Sequence, residues 1–195
     1  MNFDFLVSDT ANLLTESREG LKRIQKIVKD LKDFSHLDAP EWQLADIHQG
    51  IDSTLNVIAY ELKYKVELIK EYGILPRIRC LPFQLNQVFL NLLINASHAI
   101  KEHGQVTIQT GCTDEHVWIR IADTGQGISA ANLSRIFEPF FTTKPIGVGT
   151  GLGLSVSWGI VQAHSGRIEV QSELERGTAF AVFLPIHATL QTLVD

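Results

Sequence analysis

Two glycine-rich stretches, Asp123-Thr-Gly-Gln-Gly127 and Gly147-Val-Gly-Thr-Gly-Leu-Gly-Leu154, decide how this chain is read. The first ends a run, Val117 to Ala122, that alternates as a strand does. A carboxylate held at a strand end, as Asp123 is, can accept a hydrogen bond from an exocyclic amine such as that of adenine. Gly125 and Gly127 let the backbone approach a flat ring. Asp and Gly are also ordinary turn residues, so this stretch alone fits a plain strand-end turn equally well. The second stretch has glycine at 147, 149, 151 and 153 and leads into a helix expected to begin near Leu152. Backbone amides of a glycine loop and the positive end of a helix together attract an anion. Lys144, just upstream in Phe-Phe-Thr-Thr-Lys-Pro, can add a charge to a phosphate. A flexible linker is the bland alternative, disfavoured by four alternating glycines at a helix start.

Two other nucleotide signatures were weighed. The P-loop pattern, two glycines followed by Lys and Ser or Thr, is absent. Gly125-Gln-Gly127-Ile-Ser-Ala130 imitates part of a dinucleotide fingerprint. The required βαβ continuation is missing, because the chain enters Phe-Glu-Pro-Phe-Phe and the second glycine stretch instead.

Upstream, residues 83–102 are expected to form a long helix stopped by Gly104. Leu85, Phe89, Leu92, Leu93, Ala96 and Ile100 make its apolar stripe. Gln84, Gln87, Asn91, Asn95 and His98 make a separate polar stripe. Such a stripe is usually a solvated face. This one lacks Lys and Glu and carries two mid-helix Asn one turn apart, although Asn is a poor helix former. Amide oxygens suit a magnesium ion that keeps several waters and takes its negative ligands from phosphates.

Working outward, Ile47, Ile51, Leu55, Ile58 and Leu62 mark an amphipathic helix. Strands are expected near 65–70, 77–80, 105–111, 116–122, 167–172 and 178–184, with a short helix at 129–136 and a longer one at 152–164. A mixed β-sheet with helices on one face follows: an α/β two-layer sandwich. Residues 10–37 carry a heptad seam, Leu14, Ser17, Leu21, Ile24, Val28, Leu31 and Ser35, which predicts a long helix made for helix–helix association. Asp38-Ala-Pro-Glu41 interrupts it and marks a linker.

The 195 residues suffice for a sizeable core, and 45% hydrophobic with 20% charged residues describes a globular chain. A formal charge of −5 argues against nucleic acid as a partner. Cys80 and Cys112 form no CxxC pair and are expected as reduced core thiols. No signal peptide or membrane-spanning run is visible, so the expected location is cytoplasmic, with no membrane contact by this stretch; a membrane-anchored parent fits equally.

Taken together, Asn91-Leu-Leu-Ile-Asn-Ala96, Asp123–Gly127, Phe137-Glu-Pro-Phe-Phe141, Gly149–Leu154 and Gly177-Thr-Ala-Phe-Ala-Val-Phe-Leu-Pro185 resemble, in order and spacing, the catalytic domain of sensor histidine kinases. That domain belongs to an ATP-binding superfamily (the Bergerat-type fold) shared with gyrase, mismatch-repair and heat-shock chaperone ATPases. The motifs cover about 84–185, and 40–195 is expected to be the catalytic ATP-binding domain. The resemblance implies ATP or ADP with magnesium as ligands. Asn95 would be the metal ligand and a catalytic residue, with Asn91 beside it. Asp123 would hold the adenine amine, Gly125 and Gly127 would line the base pocket, and Thr178 would support adenine through Asp123 or a water. Phe137 and Phe140 would anchor a lid, Lys144 would act catalytically on phosphate, and Gly149, Gly151 and Gly153 would form the lid hinge. Ile128, Thr143, Thr150, Leu152 and Leu154 complete the nucleotide-binding set.

Hydrolytic relatives resemble one another in carrying Glu one turn before the metal-binding Asn; here that position is Asn91, and an amide is no general base. Transfer to an acceptor that brings its own nucleophile is therefore expected, namely a histidine. In the resembled family that histidine precedes an acidic residue on the first helix of a dimerising hairpin. None of the seven histidines here is followed by Asp or Glu, and His36-Leu-Asp is only a near imitation. Residues 1–39 resemble the second helix of that hairpin, so the acceptor is expected on a histidine-bearing dimerisation domain of the same protein, outside a chain read as a fragment. A homodimeric parent and a response regulator are the implied partners. An anti-sigma-type serine kinase of the same fold, or a nucleotide-binding docking module, are the alternatives.

Overall fold

A computed structural model describes residues 41–144 and 149–187. The heptad helix at 10–37, the linker before Glu41, His36 and Gly147 lie outside the described residues. Strands β1 (Gln43–Ala45), β2 (Val66–Tyr72), β3 (Ile78–Cys80), β4 (Gly104–Cys112), β5 (His116–Asp123), β6 (Arg167–Glu173) and β7 (Gly177–Pro185) alternate with helices α1 (Ile47–Leu62), α2 (Pro82–Ala99), α3 (Ala130–Leu133) and α4 (Gly153–Ala163).

Local chemistry explains the helix ends. Asp46 caps α1, its carboxylate accepting from His48 N at 2.9 Å. Pro82 opens α2 in the first turn, where its missing N–H costs nothing. The α1 stripe Ile47, Ile51, Leu55, Ile58 and Leu62 is buried, as are Leu85, Val88, Phe89, Leu92, Leu93 and Ala96 of α2. Leu93 is fully buried, so its truncation to Ala would cost about 2–5 kcal/mol.

The main sheet has five strands in the order β2-β4-β5-β7-β6. β2 pairs parallel with β4, reached by a crossover through α2, and the other pairs are antiparallel. Val106, Ile108, Val117, Ile119, Ile121, Phe180, Val182 and Leu184 point into one buried layer with α1, α2 and α4. The result is the two-layer α/β sandwich with a mixed sheet. Among the described residues no helix is long and apolar enough to cross a membrane.

Three details differ from expectation. Gln43–Ala45 is a strand, not linker or helix lead-in, and it pairs with β3 in a small separate sheet. The expected helix at 129–136 shrinks to four residues, because turns bonded Arg135 N to Asn132 O and Glu138 N to Arg135 O follow it. Cys80 is buried and its thiol pKa is pushed up to about 11 by burial, but Cys112 is exposed at the end of β4.

Candidate nucleotide site

The site occupies one end of the sandwich, where β5 stops, α2 runs past and α4 begins. At the β5 side, Asp123 is only 8% exposed, and its carboxylate accepts from Gly125 N at 2.8 Å. Burial raises its pKa, opposed by the backbone amides of Gly125 and Thr178. The turn is fixed to its surroundings at several points. Gln126 N donates to Ala99 O (3.0 Å), Glu175 N to Gln126 O (2.9 Å), and Ile128 N to Ser172 Oγ (2.7 Å). Gly127 has φ +70°, and a Cβ there would overlap the Glu173 carbonyl, so both conformation and space require glycine. Ile128 is half-buried against the core. Thr178 pairs with Asp123 across the strands and is buried.

The polar stripe of α2 splits into two pieces. Asn95 and His98 face Lys144: the ammonium donates to Asn95 Oδ1 at 3.1 Å and to His98 Nδ1 at 2.9 Å. An ammonium only donates, so His98 is neutral at Nδ1 and carries its proton on Nε2, 3.5 Å from Glu61 Oε1. Burial and then the Lys144 charge hold the His98 pKa below its usual value, with Glu61 opposing. Asn91 points elsewhere. Its Oδ1 accepts from Gln87 Nε2 (3.1 Å), and its Nδ2 donates to Gly153 O (2.9 Å) and Ser157 Oγ (3.2 Å). It therefore clamps the first turn of α4 to α2 and does not stand beside Asn95 as a second polar group of the site.

Residues 137–144 fold back against the second glycine stretch. Phe137 is half-buried on the core, in the anchoring place expected of it. Phe140 is not an anchor in this structure: it has φ 67° and is 65% exposed. The left-handed turn sends its ring outward and directs its N–H to Gly151 O at 2.9 Å. Phe141 turns in instead, packing on the core beneath the Arg135 guanidinium at 4.5 Å. Gly151, at φ +70°, has no room for a Cβ against Phe140. Gly149 lies beside Thr142 and Lys144, Thr150 Oγ1 accepts from Leu152 N at 3.4 Å, Leu152 is buried and Leu154 half-buried. Gly153 begins α4 in contact with Asn91, and Thr143 is exposed.

Residue-by-residue reasoning missed Ser172, Phe141 and the Lys144–His98 pairing. The one available signal was that Ser172 shares the half-buried phase of β6 with Ile168 and Val170.

Residues 81–188 match the family model described as histidine kinase-, DNA gyrase B-, and HSP90-like ATPase. The chain is 33% identical over 181 residues to the sensor histidine kinase ZraS of Escherichia coli strain K12, covering 92% of this chain and 38% of that protein. It is 33% identical over 176 residues to sporulation kinase D of Bacillus subtilis strain 168, covering 88% of this chain and 34% of that protein. The chain thus spans less than two-fifths of the length of these curated relatives. The nucleotide-free catalytic domain of histidine kinase ThkA superposes with TM-score 0.68 at 27% identity, covering 75% of this chain and 98% of that one. Full-length ShkA in complex with AMPPNP gives TM-score 0.75 at 26% identity over 93% of this chain and 39% of that one. The chain belongs to the histidine kinase-, DNA gyrase B-, and HSP90-like ATPase family, and its fold is that of the sensor histidine kinase catalytic domains.

Proposed function

We propose that this chain is the ATP-binding catalytic part of a two-component sensor histidine kinase, passing the γ-phosphate of ATP to a histidine on a dimerisation domain of the same protein. The observation that carries the choice of kinase over hydrolase is the state of the side chains around Asn95. Asn91 is an amide engaged at both ends, and the lone pair of neutral His98 is taken by Lys144. Neither can take a proton from water, so the nucleophile has to arrive ready-made, as an imidazole does.

The residues fit the ligands. Asp123 offers a buried acceptor to an exocyclic amine, beside the glycine turn that admits a flat base. Asn95 Oδ1 already accepts from one cation, the Lys144 ammonium, as an oxygen placed for magnesium should. Magnesium, when bound, neutralises charge on the phosphates. Lys144 then exchanges its neutral partners for phosphate oxygens, while Gly149 and Gly151 allow residues 137–144 to follow. The imidazole nitrogen forms a bond to phosphorus as the bond to the β-phosphate oxygen breaks, ADP takes those electrons, and the imidazole proton passes to solvent. A homodimeric parent in the cytoplasm, anchored to a membrane or not, and a response regulator that receives the phosphoryl group complete the reading. ThkA, whose catalytic domain shares this fold, has been solved with the response regulator TrrA.

Incubation of the chain with γ-labelled ATP–magnesium and a histidine-bearing dimerisation domain tests this. Acid-labile, base-stable label on that domain is expected, and none on this chain alone. Acid-stable label would favour the anti-sigma-type serine kinase, and release of free phosphate a hydrolase.

A further inference from the structure

Asp123 of β5 pairs with Thr178 of β7, and Thr178 pairs with Ser172 of β6. Cross-strand partners share a face of the sheet, so a carboxylate and two hydroxyls stand in one row at the base end of the site. Asp123 and Thr178 are 8% and 6% exposed. In this row the protons can be counted. Ser172 Oγ has three neighbours: Ile128 N at 2.7 Å, Gly177 O at 3.0 Å and Thr178 Oγ1 at 2.8 Å. A hydroxyl has one proton and two lone pairs. The Ile128 amide can only donate, so it takes one lone pair. The Gly177 carbonyl can only accept, so it receives the Ser172 proton. The remaining Ser172 lone pair faces Thr178, which must therefore donate to it. Thr178 Oγ1 is left with lone pairs alone for whatever enters beside Asp123, and the Asp123 carboxylate is likewise only an acceptor.

We infer that Ser172 is a positioning residue for base specificity: by holding the Thr178 proton, it makes the Asp123–Thr178 pair an all-acceptor surface that favours a 6-amino purine over a 6-oxo purine. The inference rests on the nucleotide reading above and deepens it. A 6-amino group brings two donor hydrogens to this surface, whereas a 6-oxo group sets lone pairs against lone pairs. A bridging water does not erase the preference. Facing two acceptors, it gives both its protons to the protein and turns its own lone pairs to the base. Without the Ser172 hydroxyl, Thr178 is free to rotate and donate to a 6-oxo group. Ser172 does not touch the base in this account; it acts through Thr178.

The test is binding of ATP–magnesium and inosine triphosphate–magnesium to the full chain and its variants by calorimetry. The unmodified chain should prefer ATP by about 100-fold, as expected of a site whose hydrogen-bonding groups are left opposed by the wrong base. Ser172→Ala should narrow that ratio by about ten-fold, the size of one recovered hydrogen bond, and part of the change should be tighter inosine triphosphate binding. Ser172→Thr, which keeps the hydroxyl, should restore the ratio. In a Thr178→Val background Ser172→Ala should change the ratio no further. If Ser172→Ala does not fold, Ser172→Cys, whose thiol is a weak acceptor, should narrow the ratio instead. A purely structural Ser172 would weaken both nucleotides alike and leave the ratio unchanged, which overturns the inference. So does a narrowing that persists without the Thr178 hydroxyl. Absence of binding of either triphosphate to the unmodified chain overturns the nucleotide reading itself, a result separate from any change in ratio.

Discussion

The two ends of the site are built differently. At the base end, Asp123, Gly127, Ile128, Ser172 and Thr178 are tied to one another or to the backbone, within strands and a turn that admits no other conformation. At the phosphate end, Lys144, Asn95 and His98 hold each other, Phe140 stands 65% exposed, and the chain turns through Gly151. The groups at the first end are set before any ligand arrives, which lowers the ordering cost of binding. Those at the second end satisfy one another and must change partners to meet phosphate. A single site thus joins a preformed recognition surface to one that rearranges, as expected where loops carry function on a rigid scaffold.

The largest expected effect tests the rigid end. Gly127→Ala forces a Cβ onto the Glu173 carbonyl at a left-handed φ and should destabilise the fold by about 3 kcal/mol or more by urea unfolding. Gly153→Ala, whose Cβ would sit 3.5 Å from Asn91, should stay within about 0.5 kcal/mol. Equal costs at the two glycines would remove the distinction between the ends.

Asp123→Asn should weaken ATP binding about 50-fold, or about 2–3 kcal/mol, in a calorimetric titration. The sign for stability is opposite. A buried acid with a raised folded pKa opposes folding once ionised, so the neutral variant should melt no lower than the unmodified chain. For the same reason ATP affinity should fall on acidification at a pH above the ordinary Asp value, as the carboxylate is protonated. A variant that loses stability and affinity together would make Asp123 structural.

Lys144→Ala should cost about ten-fold in ATP affinity and leave adenosine monophosphate binding unchanged, since its reach is to the far phosphates. Loss of monophosphate binding as well would mean that the two ends are not separable.

The smallest effect concerns the scaffold behind the phosphate end. Buried His164 accepts from Leu81 N through Nε2 at 3.0 Å and donates from Nδ1 to Ile160 O at 2.8 Å, joining the end of α4 to the start of α2. Burial lowers its pKa, so the unfolded chain takes up the proton first. Its contribution to stability is intact above pH 6.5 and is lost as pH falls below that value. Urea midpoints at pH 7.5 and 5.5 should differ by about 1 kcal/mol in stability; equal midpoints contradict the buried neutral assignment.

What the sequence made legible was local. The glycine turns, the stripes of α1 and α2 and the strand alternation depend on neighbours within a few residues, and each emerged close to its expected place. The β1–β3 pair and the parallel β2–β4 pair depend on contacts between distant residues and left no local mark. Within the site the same rule holds. Asp123 is identified by the turn that follows it, but the role of Ser172 exists only through the register of β6 on β7. Asn91 and Asn95 look alike on a helical projection, and the approach of α4 on one side and Lys144 on the other gives them different partners. Phe140 and Phe141 differ only by the backbone turn at 140, which no composition pattern announces.

The central claim is that a preformed base end and an exchangeable phosphate end make one ATP–magnesium site. Calorimetric titration of the full chain with ATP in the presence of magnesium tests it most directly. The account predicts saturable binding at a single site, lost on Asp123→Asn and weakened when magnesium is removed or Asn95 is replaced by Ala. No binding, or binding indifferent to Asp123 and Asn95, would contradict it.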